Sequence, residues 1–158
     1  MEMPTLPAPL IIYFSATGTT KQAAEKIAHA LNGDLLALQP ATPYPDNYSE
    51  LVPVAQKEHD ENRAPMLAPL PMNLTSYQTI LFGFPIWWGE PPHLIRRFLQ
   101  ENELSGQKLI AFATSGSSTI EEAMPTLADW TKGTQTQLVA GFRANNAAEI
   151  RQGLNSLE

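Results

Sequence analysis

The stretch LIIYFSATGTTKQAAEKIAHAL, residues 10–31, changes character twice within 22 residues. Leu10–Phe14 is a short, unbroken apolar run with β-branched and aromatic members, as expected of a strand buried on both faces. Thr19–Leu31 then places Ala23, Ile27, Ala30 and Leu31 on one helical face, and Gly33 follows as a natural stop. Between them lies SATGTT, Ser15–Thr20, where only Ala16 is neither glycine nor a hydroxyl residue and no acid occurs. A buried strand that hands over to a helix through a tight polar corner is the opening unit of a parallel α/β sheet. The corner also concentrates small polar groups at a helix start, where unpaired N–H groups and the helix dipole favour an anion.

The same alternation continues along the chain. Strands are expected at Asp34–Leu38, Thr79–Phe84, Lys108–Ala113 and Gln137–Phe142. Helices are expected at Asn47–Asn62, just after Pro91/Pro92, at Ser118–Trp130 and at Ala147–Leu157. Ser118 with Glu121 has the form of a capping box, and Pro125 interrupts the pattern after it. The sequence of elements, βαβαβαβαβα, predicts a parallel sheet with helices on both faces. No repeat or linker divides it, so residues 1–158 read as one domain. Residues 40–76 hold seven of the fourteen prolines and read as ordered surface loop around one helix. Pro53 suits that helix only near its first turn, where a missing N–H costs little.

Composition narrows the function. With 43% apolar residues the chain can bury a core, and a net charge of −6 argues against general nucleic-acid binding. The absence of cysteine excludes disulfides, thiol catalysis and cysteine-ligated metals. His29, His59 and His93 lie far apart with no ligand-like spacing. Residues 1–14 have neither a cationic leader nor a membrane-length apolar run, so a cytoplasmic protein without membrane association is expected.

The corner at Ser15–Thr20 has one glycine, and Lys21 follows the hydroxyls, so it is neither a P-loop nor a dinucleotide fingerprint. It reads as a neutral nest for one phosphate monoester, or equally as a plain helix cap. Two further loops favour the nest. FPIWWGEPP, Phe84–Pro92, follows the third strand, and its two tryptophans can provide a stacking wall for a flat ring, with one of them packed beneath the loop. ATSGSSTIEEA, Ala113–Ala123, follows the fourth strand as a second small-hydroxyl loop. All three project from one edge of a parallel sheet, and together they describe a site for a phosphorylated flat heterocycle.

In these motifs the chain resembles the flavodoxin family over essentially its whole length. SATGTT matches the family's [ST]-x-T-G-x-T phosphate loop, and PIWWGEPP and TSGSS stand where its two isoalloxazine loops lie. NYSELVPVAQKEHDENRAP, residues 47–65, also stands in the place usual for the family's short-chain members. The resemblance implies a three-layer sandwich with strand order 2-1-3-4-5 and FMN as cofactor. Ser15, Ala16, Thr17, Gly18, Thr19 and Thr20 would hold its phosphate. Pro85, Ile86, Trp87, Trp88 and Gly89 would line the ring, and Thr114, Ser115, Gly116, Ser117 and Ser118 would border its other side. Many relatives read T-S-G-G-S-G in the second loop, whereas here it is T-S-G-S-S-T and has no aromatic residue, leaving one ring face without that cover.

The implied function is low-potential electron transfer between a reductase and an acceptor protein, by a monomer or weak dimer. Glu90 and the net negative charge would lower the flavin potential. Two alternatives stand beside it: a small FMN-dependent NAD(P)H:quinone-type oxidoreductase, and a scaffold of the same fold that binds no flavin. His93, Arg96 and Arg97, after the tryptophan loop, are expected on the solvent face of a helix whose Leu94, Ile95 and Phe98 point inward.

Overall fold

The computed structural model describes residues 9–156 except 16–17, 43, 46, 62, 69–73, 75–76, 88, 102–104, 116–118 and 133–134, with the backbone alone at 48, 101, 105–106 and 135. Strands β1 (Leu10–Tyr13), β2 (Asp34–Ala37), β3 (Thr79–Pro85), β4 (Ser105–Thr114) and β5 (Gln135–Arg143) alternate with helices α1 (Thr19–Leu31), α2 (Tyr48–Asp60), α3 (His93–Glu101), α4 (Ile120–Thr131) and α5 (Ala147–Asn155). The strands form one sheet in the order β2-β1-β3-β4-β5, every neighbouring pair parallel. Ile12 lies opposite Phe82, and Phe82 opposite Ala111.

Because strand side chains alternate, one sequence run supplies both faces of the sheet. Leu10, Ile12, Phe82, Phe84 and Ala111 pack with Leu94, Ile95 and Phe98 of α3 and Ala123 and Leu127 of α4. Ile11, Tyr13, Leu81, Ile110 and Phe112 face the other way, onto Ala23, Ala24 and Ile27 of α1 and Ile150 of α5. The result is the expected three-layer sandwich. The proline-rich segment is drawn back onto the domain: Ala41 N donates to Met66 O at 2.7 Å, Ala68 N donates to Gln39 O at 2.8 Å, and Arg97 Nη2 donates to Ala64 O at 2.7 Å.

Several boundaries differ from expectation for local reasons. The left-handed residue that ends α1 is Asn32, at φ 52°, not Gly33. Gly33 answers a different demand, since a Cβ there would lie 2.5 Å from Ile11 Cδ1 and 2.7 Å from the Pro9 carbonyl oxygen. It lets the chain leave α1 and close directly onto β1. Helix α4 starts at Ile120 after Thr119, whose side chain makes no capping bond, so the Ser118–Glu121 box does not define its start, and Ser118 lies outside the described residues. Pro53 is the sixth residue of α2, beyond the first turn that suits it, and buried Leu51 and Ala55 anchor the helix around it. β4 begins earlier than its apolar run because Ser105 pairs with Gln135 of β5.

The packing at Gly83 gives a direct test. This residue of β3 lies opposite Phe112, and a Cβ would come within 2.2 Å of two atoms of that ring. Gly83→Ala should destabilise the protein by about 1–3 kcal/mol through overpacking. The expected readout is a lower urea midpoint at an unchanged m-value, and an unchanged midpoint would show that the ring moves aside freely.

Candidate functional site

A parallel sheet brings the ends of its strands to one edge, and the three polar loops open there. At the first, Gly18 takes φ 96°, and its N–H donates to Ser15 Oγ at 3.0 Å. The first intrahelical bond of α1 is Gln22 N to Gly18 O, 3.1 Å, so the N–H groups of Thr19, Thr20 and Lys21 have no carbonyl acceptor within the helix. Helices α2, α4 and α5 each carry glutamate in the first turn, whereas α1, like α3, carries no acid there. Its start is therefore electrostatically open to an anion. A cavity of about 260 Å³ adjoins it, with Ser15, Gly18 and Lys21 in its wall beside Tyr13, Phe14 and Gln39. Ala16 and Thr17 lie outside the described residues.

Thr20 turns its hydroxyl inward. It is 1% exposed, and its Oγ1 lies 2.7 Å from Oγ1 of Thr114, itself 3% exposed. This bond ties the first loop to the end of β4. Thr20 thus offers an anion its backbone N–H, while its side chain holds two loops in register. The second loop is tied to the same place: Pro85 pairs with Thr114, and Ile86 N donates to Thr114 O at 2.9 Å. The Ile86 side chain is buried in the core, so its peptide rather than its side chain belongs to the edge.

The loop then reverses. Trp87 N donates to Glu90 O at 2.8 Å and Glu90 N to Trp87 O at 3.1 Å, with Gly89 at φ 75° between them. Two-residue reversals need such a left-handed residue, and glycine adopts it without strain. Trp87 packs sideways into an aromatic group, 5.7 Å from Phe14 and 6.1 Å from Tyr44 between ring centres, both edge-on. It is the tryptophan packed against the core; Trp88 lies outside the described residues.

The third loop is held by a residue that the sequence did not single out. Asn145, between β5 and α5, accepts from Ser115 N at 2.9 Å and donates to Ser115 O at 2.7 Å. Its own N–H donates to Glu149 Oε1 at 2.9 Å, and Glu149 pairs with Arg143 at 2.7 Å. Asn146 followed by Glu149 was readable as a capping pair, and Glu149 N does donate to Asn146 Oδ1 at 2.9 Å; nothing local marked Asn145. Gly116, Ser117 and Ser118 lie outside the described residues.

Two expectations fail beside the tryptophan loop. His93 is 6% exposed rather than on the solvent face, and Arg96 and Arg97 are half-buried. The histidines are not all apart either, because the rings of His59 and His93 lie 6.3 Å from each other. The His93 ring lies between His59 of α2 and Trp130 of α4, and Arg97 donates to the carbonyls of Ala64 and Pro65, contacts no periodicity reveals. Burial, reinforced by the Arg96 guanidinium and opposed by Glu90, holds the His93 imidazole below its usual value. Nearby, Tyr44 Oη donates to Glu58 Oε1 at 2.5 Å. Burial pushes both groups up, against the pull of that bond and of Arg63 on Glu58.

A five-stranded parallel sheet in this order, with helices on both faces, defines a doubly wound α/β protein of flavodoxin-like topology. The chain belongs to the flavodoxin family, whose profile, described as Flavodoxin, matches residues 8–148. A candidate flavoprotein from Bacteroides eggerthii is 31% identical, covering 94% of this chain and 96% of its own, with a TM-score of 0.83. A second, from Bacteroides uniformis, is 32% identical, covering 94% and 97%, with a TM-score of 0.77. A Lactobacillus acidophilus flavoprotein solved in complex with FMN shares the fold at 20% identity, covering 93% and 98%, with a TM-score of 0.77. No curated protein matches the chain. Among the described residues, no helix is long and apolar enough to cross a membrane.

Two measurements probe the third loop. Asn145→Ala should cost about 1 kcal/mol, the worth of an exposed pair of hydrogen bonds, and speed hydrogen exchange at the Ser115 amide. Unaltered exchange there would remove Asn145 as the clamp. Glu149 is the pH-sensitive member, because the Arg143 hydrogen bond, with a further bond from Asn145 N, holds its carboxyl below the usual 4.5 against the opposing effect of burial. A depressed carboxyl stabilises the fold above its unfolded value, and that contribution is lost as pH falls through the folded value. The stability gap between the wild type and Glu149→Gln should therefore be full above about pH 4.5 and shrink with further acidification. A gap independent of pH would contradict the assignment.

Proposed function

We propose that this protein binds FMN and serves as a low-potential electron carrier. The observation that carries the reading is the start of α1: left-handed Gly18, three N–H groups without helical acceptors and no acidic residue, at the junction of β1 and β3. A phosphate monoester suits that position, and the residues present fit the group. Ser15, Ala16, Thr17, Gly18, Thr19 and Thr20 would hold the phosphate, Thr20 through its backbone. The peptides of Pro85–Gly89 and of Thr114–Ser118 would border the ring, with Trp88 as the aromatic wall because Trp87 is occupied by Phe14 and Tyr44. The bound flavin supplies the redox chemistry; the chain orients it and sets its surroundings. The solved FMN complex of the Lactobacillus acidophilus relative supports the choice of cofactor. A net charge of −6 fits docking to reductase and acceptor proteins with basic patches.

The loop at Thr114–Thr119 favours one second reading. It has no aromatic residue to cover the ring, which leaves an approach for a small acceptor such as a quinone. Rapid NAD(P)H oxidation by the protein alone would select this oxidoreductase; electron delivery only to partner proteins selects the carrier.

The binding test is titration of the flavin-free protein with FMN and, in parallel, riboflavin, following flavin fluorescence. Strong quenching by FMN and little by riboflavin is expected. Thr19→Glu, at an exposed position, separates the site from the fold. A carboxylate at a helix start stabilises the helix by a few tenths of a kcal/mol. The same charge beside a phosphate should weaken FMN by roughly tenfold, about 1.4 kcal/mol. Equal quenching by both flavins, or unchanged FMN affinity in Thr19→Glu, would refute the phosphate assignment.

A further inference from the structure

The end of α2, the reversal after β3 and the first turn of α3 converge on a group of residues outside the proposed flavin contacts. His59, Glu90 and His93 each present a ligand atom, and all three atoms lie within 4.8 Å of one another. We propose that they form a binding site for one divalent first-row transition metal of the zinc, copper or nickel type.

Geometry is the first argument. His59 Nδ1 and Glu90 Oε1 are 3.4 Å apart. Ligands held about 2.0–2.1 Å from a tetrahedral ion are separated by about 3.4 Å, so one edge of the polyhedron is already formed. His93 completes the set with a movement of about 1.4 Å, within the reach of side-chain torsions against ligand spacings of this size. Space is the second argument. A cavity of about 10 Å³ is lined by both histidines together with Ala55, Glu58, Trp87, Pro91 and Pro92. That is room for about one water-sized sphere. Chemistry is the third. Two imidazole nitrogens and one carboxylate oxygen suit borderline ions and not magnesium or calcium, which take oxygen ligands. The set leaves a coordination position for water, and Trp130, with its ring centre 5.3 Å from that of His93, packs against the imidazole.

One group competes with the ion. Arg96 Nε donates to His93 Nδ1 at 3.2 Å. A neutral imidazole bound to metal through one nitrogen carries its proton on the other. Whichever nitrogen binds, Arg96 must give up this hydrogen bond. Its positive charge opposes the ion as well. Arg96 therefore sets the affinity, and its removal should strengthen binding.

The test is calorimetric titration of the full-length, chelator-treated protein with Zn²⁺, with Co²⁺ absorption as a reporter of coordination. One equivalent should bind saturably, and Co²⁺ should show the visible bands of a low-coordinate nitrogen–oxygen site. His59→Gln and Glu90→Gln, at half-exposed positions, should each weaken Zn²⁺ at least ~10-fold while keeping the native melting transition. His29→Gln, on the exposed end of α1, should change nothing, and Arg96→Gln should tighten binding. Absence of saturable one-to-one binding, or equal affinity in the wild type, His59→Gln and Glu90→Gln, would overturn the proposal. None of these outcomes depends on flavin, so the metal site and the FMN site stand or fall separately.

Discussion

Parallel pairing of β1 between β2 and β3 is the constraint on which everything else depends. It forces each connection to cross the sheet as a helix, and it opens the ends of all five strands at one edge. Loops far apart in sequence therefore meet. Small bonds then fix their spacing: the buried hydroxyl pair of Thr20 and Thr114, the Ile86–Thr114 peptide bond and the Asn145–Ser115 clamp. None of these is a large energy. Each sits where its loss would leave a buried polar group unpaired or a loop unanchored, and so each governs geometry more than stability.

The edge divides into two chemically different regions. Around the start of α1 there is no acidic side chain in the first turn, and backbone donors face outward, which suits an anion. On the far side of the tryptophan loop, Glu58 and His59 of α2 and His93 of α3 line a cavity the size of one water molecule, and Glu90 lies 3.4 Å from His59. Trp87 lies between the two regions, bound to Phe14 on one flank and lining that cavity on the other.

Much of the architecture was legible because it is written in local periodicity. The bounds of α1 at Thr19–Leu31 follow directly from its apolar spacing, and the strand cores are the unbroken apolar runs. Where expectation and structure part, a neighbour decides. β4 extends back to Ser105 because β5 offers Gln135 as a partner. Gly33 is small to admit Ile11, while Asn32 takes the left-handed turn. His93 is buried with Trp130 of α4 and His59 of α2 against its ring, although its helix position alone placed it toward solvent.

The sequence by itself determined the alternation of strands and helices, the acid-free hydroxyl corner after the first strand, and the resemblance that follows from three ordered loops. These depend on residues within a few positions of each other, where spacing encodes which face is buried. Only the tertiary structure decided that Thr20 bonds Thr114 across 94 residues, that Asn145 clamps Ser115 across 30, and that His59 meets Glu90 and His93. Such contacts leave no periodic trace in the chain. They exist because the sheet sets the spacing of its helices, and that spacing is a property of the packed whole.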